Sequence, residues 1–393
     1  MSERSPAQPE LIYTPKSYAQ MLQTLARRKL IALDTESDSL FSYHTKVCLI
    51  QLTVSAAAEE QVSEEAPEQV LDFLVDPLRL TDLTELAAVL AADGVEVVMH
   101  AADNDMLLLQ RLLGFRFPQI FDTQLAGRIL GWRQIGLAAI LEENYGFVSD
   151  KRMQRTNWGK RPLTAEQIAY AHMDTHYLLA LRSRQIQLLR AKGRWEEAQD
   201  AFQQLIRTSS APRPVEARSF WSLKQVRDVP LDKLNVLEAL WQWREEQAEG
   251  LDRPPFKVIG DQHLVELANA QPVDFDGLLA HTTIADGLLH RYGRTLLEVV
   301  AAGQSRPAPR LPQRSDTYID RAVLDRFDQL RRWRSTAAES RGVAPDIVFN
   351  NSTLQLIAQR MPTTVEELAA MADVGKWKAE TYGAQLLAVL HHR

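Results

Sequence analysis

The feature that most limits how this 393-residue chain can fold is a self-similarity in its C-terminal half. Leu240, Trp243 and Arg244 recur as Leu330, Trp333 and Arg334, all at an offset of 90 residues. Pro255, Val258, Leu264 and Ala268 recur at the same offset as Pro345, Val348, Leu354 and Ala358. It also carries Pro272, Leu278, Tyr292, Gly293, Leu296 and Leu297 onto Pro362, Leu368, Tyr382, Gly383, Leu386 and Leu387. One unbroken register over about 60 positions is hard to obtain by chance. Each copy reads as four or five short helices and is far too long for a solenoid unit. The expectation is two tandem all-α domains, at 229–303 and 319–393.

Residues 1–208 carry a different pattern. KLIALDTE, VCLIQLTV, VLDFLV and VEVVMHA are short apolar runs rich in β-branched residues, and they read as strands. LTDLTELAAVLAADG has helical periodicity, with Thr81 placed to cap it and Gly94 to stop it. From Asp103 to Ser209 the pattern is mostly helical, and Thr164 with Gln167 forms a capping box before the stretch that follows. Strands first and helices after indicate one α/β or α+β domain. Residues 206–228, with Arg207, Arg213, Arg218, Lys224 and Arg227 beside Pro212 and Pro214, read as a basic linker, bounded here at 209–228. Residues 304–318 read as an extended Pro-rich one.

The net charge of −6 and pI near 5.9 give no global nucleic-acid footprint, so any such contact must come from local patches or through cations. The one cysteine, Cys48, sits in an apolar run and reads as core filler. The start lacks the apolar segment of a signal peptide, and no run of about 18 apolar residues occurs, so a cytoplasmic protein without membrane contact is expected.

Four acids stand out against this background. Asp34 and Glu36 end the apolar strand LIALDTE, two apart and so on one face, with Thr35 turned the other way. Asp105 opens the helix after VEVVMHA, at the carboxyl end of the sheet where ligand sites gather. Tyr170 and Asp174 stand one above the other at i and i+4 on a helix. Desolvating carboxylates costs free energy, so a strand ending in two of them asks for a cation, and two divalent ions would account for all four. His100 reads as a packed strand-end residue and Asp122 as a helix N-cap.

The blocks ALDTE, HAADND and YAHMD resemble the three motifs of the DEDD superfamily of 3′–5′ exonucleases, in its tyrosine subgroup. The stretch KRMQRTNWGKRPLTAEQIAYAHMDTHYLL is similar to that of the ribonuclease D family, and the paired repeats resemble HRDC domains. The resemblance implies an α/β, RNase H-like exonuclease domain with a mixed sheet, followed by two HRDC helical bundles. It implies that Asp34 bridges two Mg²⁺ or Mn²⁺ ions about 4 Å apart. Glu36 and Asp174 would complete the ion that activates water, Asp105 would support the second, and Tyr170 would orient the water. The products would be nucleoside 5′-monophosphates from RNA with a free 3′ end, tRNA precursors foremost, with no obligate protein partner. Ser37 and Asp38 depart from the aromatic or aliphatic residues common after the first motif, which bears on contacts to the terminal base.

The segment 151–161 holds Lys151, Arg152, Arg155, Lys160 and Arg161 around Trp158 with no acid, which suits phosphate contacts beside a base-stacking platform. The first repeat has 6 basic and 12 acidic residues over 231–303. The second has 10 and 9 over 319–393, with Arg326, Arg331, Arg332 and Arg334 clustered, so it is the better candidate for RNA contact. Two rival functions remain open at the level of sequence: a 3′–5′ DNA exonuclease, and an RNA-binding adaptor built on an inactive nuclease. The second predicts a lost ligand, whereas all four acids and Tyr170 are present.

Overall fold

A computed structural model describes residues 8–57, 67, 69–210, 218–311, 320–371 and 374–391. The chain divides into two compact units. One comprises Met1–Ser37, Val47–Pro212 and Ile319–Arg393; the other comprises Asp38–Lys46 and Arg213–Tyr318.

Among the described residues the first unit is built on six strands: β1 (Glu10–Ile12), β2 (Leu30–Ser37), β3 (Val47–Ser55), β4 (Val70–Val75), β5 (Glu96–Met99) and β6 (Gln119–Asp122). Their order in the sheet is β1-β4-β3-β2-β5-β6. β2, β3 and β4 are antiparallel neighbours, β1 joins β4 in parallel, and β5 and β6 extend the other side in parallel. The four apolar runs are thus β2 to β5. Every residue of β3 is buried, and β2 is buried over Leu30–Leu33. β2 pairs with β5 only from Leu30 to Ala32, so the edge carrying Asp34 and Glu36 is free of a strand on that side.

The helices of this part among the described residues are α1 (Pro15–Leu25), α2 (Thr84–Leu90), α3 (Asp103–Leu113), α4 (Thr123–Leu130), α5 (Leu137–Tyr145), α6 (Ala165–His176), α7 (Leu178–Ala191) and α8 (Trp195–Ser210). The α6 capping box forms as expected, with Gln167 N–H donating to Thr164 Oγ1 at 3.2 Å and Thr164 N–H to Gln167 Oε1 at 3.0 Å. Asp122 caps α4 through the Gln124 and Leu125 N–H groups. Thr81 is not the cap of α2: the N-cap position is Leu83, whose side chain offers no bond, and Asp82 before it accepts the Thr84 N–H at 3.0 Å. Cys48 is fully buried, as core filler should be.

The second unit holds α9 (Leu234–Gly250), α10 (Pro255–Val258), α11 (Asp261–Ala270), α12 (Phe275–His281) and α13 (Asp286–Gln304). The copy in the first unit is α14 (Arg321–Arg341), α15 (Pro345–Val348), α16 (Asn351–Arg360), α17 (Val365–Ala369) and α18 (Lys376–His391). The recurring residues do the same work in both. Arg244 and Arg334 are buried and donate to the carbonyls of Ile259 and Phe349, themselves 90 apart. Trp243 meets Tyr292 edge-on at 5.3 Å, and Trp333 meets Tyr382 at 5.8 Å. A Cβ on Gly293 would stand 2.8 Å from the Phe275 ring, so glycine here lets α13 approach α12 without displacing that ring.

Two expectations need correction. Residues 218–228 are not a linker, because Phe220 and Leu223 are buried in the core of the first repeat. Pro212, Arg213, Pro214 and the stretch 312–319 lie outside the described residues. The arginine cluster on α14 is also smaller than its sequence suggests. Arg334 is buried and Arg326 donates to the Ala358 carbonyl at 2.9 Å, which leaves Arg331 and Arg332 exposed.

Within its unit the second repeat packs on α8 and α4. Ile347 enters the main core, and Arg341 pairs with Glu197, which is 2% exposed. Arg194 Nη2 donates to the Arg341 carbonyl at 2.6 Å, and Arg128 pairs with Asp346. Among the described residues no helix is long and apolar enough to cross a membrane.

Candidate active site

Three elements bring the acids together. β2 supplies Asp34 and Glu36, α3 supplies Asp105 in its first turn, and α6 supplies Asp174 with Tyr170. Asp122 sets where α3 begins. Its carboxylate accepts N–H groups from Ala101 and Ala102 at 3.2 and 2.9 Å, as well as the two from α4. Ala101 is held at φ 58°, a left-handed conformation that a non-glycine residue adopts only when its surroundings impose it. Thr35 turns out to belong to the site as well, since its hydroxyl donates to Asp105 Oδ1. Strand alternation put it on the far face, but the open edge of β2 lets the α3 turn come within its reach.

Asp34, Glu36, Tyr170 and Asp174 line a cleft of about 580 Å³, together with His100, Lys151 and Gln154. The carboxylates crowd one another with little compensating charge. Burial pushes Asp34 well above the ordinary carboxylate range, and the neighbouring charges of Asp105 and Asp174 add to it. Glu36 rises to about 9 for the same reasons, burial first and then Asp34 and Asp105. Asp174 is likewise raised by burial and by Glu36 and Asp105. Asp105 rises less, to about 6, because the Thr35 hydrogen bond works against its burial. Like charges this close cannot all ionise unless cations join them.

Tyr170 stays a neutral phenol, its pKa driven upward by burial and then by Asp174 and Glu36. The Gln154 side chain hydrogen-bonds that phenol. His100 Nδ1 lies 2.8 Å from Thr123 Oγ1, which makes it the hydrogen-bonded strand-end residue expected. Burial lowers its pKa to about 4, so it is neutral at ordinary pH. Gln154 and Thr35 carried no signal in the sequence. A glutamine inside a basic run and a threonine between two acids look like neighbours of function rather than part of it.

The basic segment divides on structure. Residues Lys151–Arg155 form a 3₁₀ turn, and Lys151 reaches the cleft. Arg155 and Lys160 are exposed, and Arg152 is exposed but forked onto Asp150. Trp158 is 1% exposed, so it cannot be the stacking platform expected of it. It packs with Cys48, Leu49, Leu74 and Ala171, and its ring lies 6.2 Å from that of Tyr170, which it backs. Arg161 is a structural residue too. Its guanidinium donates to both oxygens of Asp76 at 2.6 and 2.9 Å and to the Trp158, Lys160 and Cys48 carbonyls. Asp38, in the second unit, folds into its own loop by accepting from Ser42 Oγ and Lys46 N–H, both at 2.7 Å.

Residues 9–187 match the family model of 3′–5′ exonucleases, and residues 233–300 and 323–390 each match the HRDC domain. Fold, acids and matches together define the class: a 3′–5′ exonuclease domain with a duplicated HRDC domain behind it. A ribonuclease D of Gluconacetobacter diazotrophicus is 27% identical over 97% of this chain and 92% of its own length. Those of Acidiphilium cryptum and Pseudomonas paraeruginosa are each 28% identical, over 98% and 95% of this chain and 94% and 95% of theirs. The chain is thus similar to the ribonuclease D family over nearly its whole length. In structure it shares the fold of Escherichia coli RNase D, described as an exoribonuclease involved in structured RNA processing. That match has a TM-score of 0.68 at 23% identity, over 98% of this chain and 99% of that one. A Bifidobacterium adolescentis protein also shares the fold, with a TM-score of 0.79 at 21% identity over 98% and 97%.

Proposed function

We propose that this 3′–5′ exoribonuclease works with two divalent cations, Mg²⁺ or Mn²⁺, held by Asp34, Glu36, Asp105 and Asp174, and releases nucleoside 5′-monophosphates. The observation that supports this most directly is the crowding of four carboxylates whose charges oppose one another's ionisation. The donor set is all hard oxygen, which suits Mg²⁺ and Mn²⁺ over softer metals. Such ions, when bound, lower the pKa of an attacking water and offset charge on the departing 3′ oxygen.

The chain's own groups do the rest. Tyr170, neutral and steadied by Gln154 and Trp158, orients by hydrogen bonding and does not act as a base. Lys151 gives the cleft a cation for a substrate phosphate, and Arg155 and Lys160 extend that charge along the same segment. The similarity to proteins named ribonuclease D supports RNA as the substrate, and with 3′–5′ chemistry its 3′ end must be free; tRNA precursors or other small structured RNAs are the expected natural substrates.

The test is nucleotide release from matched RNA and DNA oligomers with free 3′ ends, in Mg²⁺, Mn²⁺ or EDTA, for the wild type and Asp34→Asn. Release of 5′-monophosphates from RNA, abolished by EDTA and by the substitution, is expected. Equal or faster release from DNA would reassign the substrate. Activity retained by Asp34→Asn would show that the chemistry lies elsewhere.

A further inference from the structure

Helix α6 carries Tyr170 and Asp174 toward the cleft, but it is also held from behind. His172 and His176 each follow one of these residues by two positions, which places them roughly 200° further around the axis at ~100° per residue. His172 Nε2 and His176 Nδ1 both meet Asp72 Oδ2, at 2.8 and 2.7 Å. Asp72 Oδ1 accepts from Thr53 Oγ1 at 2.6 Å, and Thr53 Oγ1 lies 2.8 Å from Thr175 Oγ1. A carboxylate only accepts, so both imidazoles and Thr53 donate to it. None of the five residues is more than 9% exposed. His172, Thr175 and His176 are thereby tied to β3 and β4.

The anchor shares a frame with the acids. Thr53 pairs across the sheet with Asp72, and Gln51, two residues earlier on β3, pairs with Asp34. Period-two alternation and direct pairing put Asp34, Gln51, Thr53 and Asp72 on one face. An apolar contact would hold a helix there without the cost of desolvating a carboxylate. It would not fix the helix's rotation and height as directed hydrogen bonds do.

The three potential ligand atoms of Asp72, His172 and His176 lie within 4.8 Å of one another. The spacings of 2.7 and 2.8 Å are those of direct hydrogen bonds. Around an ion about 2.0–2.2 Å from each ligand atom, tetrahedral geometry would spread them beyond 3 Å.

We propose that Asp72 is a positioning residue for the cleft: by holding α6 from its far face it sets where Asp174 and Tyr170 stand against Asp34 and Glu36. The proposal rests on the cleft being the cation-dependent nuclease site. Displacements on the order of 1 Å cost such sites about 10²-fold in rate, so the anchor's loss should be read in turnover.

The test compares Asp72→Asn with paired substitutions at the two histidines. In Asp72→Asn, kcat for a 3′-ended RNA should fall at least tenfold with KM within twofold. The Mn²⁺ concentration for half-activation should rise at least tenfold, and calorimetry should show the same weakening of Mn²⁺ binding without turnover. His176→Asn and His172→Gln keep an N–H near the original donor and should keep a third or more of the activity, whereas His176→Leu and His172→Leu should fall with Asp72→Asn. These pairs decide the question even if Asp72→Asn does not fold. Equal loss in the polar and apolar members of each pair would overturn the proposal. So would Asp72→Asn with wild-type kcat and Mn²⁺ binding, or stoichiometric zinc in the wild type that Asp72→Asn releases. A wild type that releases no nucleotide and binds no Mn²⁺ would instead sink the nuclease assignment of the cleft.

Discussion

Two groups of carboxylates occupy one face of the same sheet and behave in opposite ways. Asp34, with Glu36 and Asp174 beside it, is pushed toward its protonated form by burial and by its neighbours. Asp72, as deeply placed, is drawn down to about 2, because hydrogen bonds from His172, His176 and Thr53 outweigh its desolvation. The difference lies in partners rather than depth. A carboxylate that the fold itself satisfies is part of the scaffold, and one left among like charges is shaped for something the chain does not supply.

The contrast is most strongly tested by neutralising one member of the crowded set. Asp34→Asn should lower nucleotide release by about 10³-fold or more while leaving the fold intact, measured by single-turnover release of 5′-monophosphate. Retained turnover would break the contrast outright. Next in size is Tyr170→Phe, which removes the phenol but no charge. It should cost about 10²-fold in kcat and leave Mn²⁺ binding unchanged by calorimetry. Loss of Mn²⁺ binding in that variant would mean that the phenol helps to hold the cation.

The dependence on pH should differ in sign between the two groups. Glu36 has an ordinary value of 4.5 and about 9 in the folded, metal-free protein. Between those limits the folded state binds more protons than the unfolded, so its contribution to stability is lost as pH rises through 9. Mn²⁺ must displace those protons, so its affinity should climb from pH 6 to 9 with proton release, visible by calorimetry in buffers of different ionisation enthalpy. Asp72 works the other way. Its contribution is complete above its ordinary 3.8 and disappears as pH falls through about 2. Metal-free melting curves that rise with pH from 6 to 9 would contradict this account of the cleft.

The smallest expected effect concerns Lys151, the one lysine or arginine lining the cleft among the described residues. Lys151→Ala should weaken RNA binding modestly and reduce the slope of log affinity against log salt by about 0.7. Trp158→Phe, by contrast, should leave RNA affinity unchanged, because the indole is buried behind Tyr170.

The acidic cluster of the cleft was legible in the sequence because its members sit in short blocks with strong local context: an apolar strand ending in acids, a helix after a strand, an i,i+4 pair. The four long strands and the duplicated helices were legible for the same reason, through period and repetition. β1 and β6 were not: β1 has three residues and β6 only two apolar ones, Ile120 and Phe121, whereas β5, also four residues long, stands in the apolar run VEVVM. The basic loop misled because its meaning is set from a distance. Arg161 is claimed by Asp76, 85 residues away, and Trp158 by a core formed from β3, β4 and α6. Asp72 was invisible for that reason too, since its histidines lie 100 and 104 residues further on.

The packing of the second repeat on α4 and α8 has a consequence for how the duplication can age. Ile347 is part of the nuclease core, and Arg341 answers the buried Glu197. A chain cut before α14 would leave that carboxylate without its guanidinium and an apolar hole beside it. Removing the C-terminal copy from this chain should therefore destabilise the nuclease domain itself. Gly131 shows how tight the seat of this copy is. A Cβ there would run into the Gly342 carbonyl, so even an alanine would lift the copy from its place.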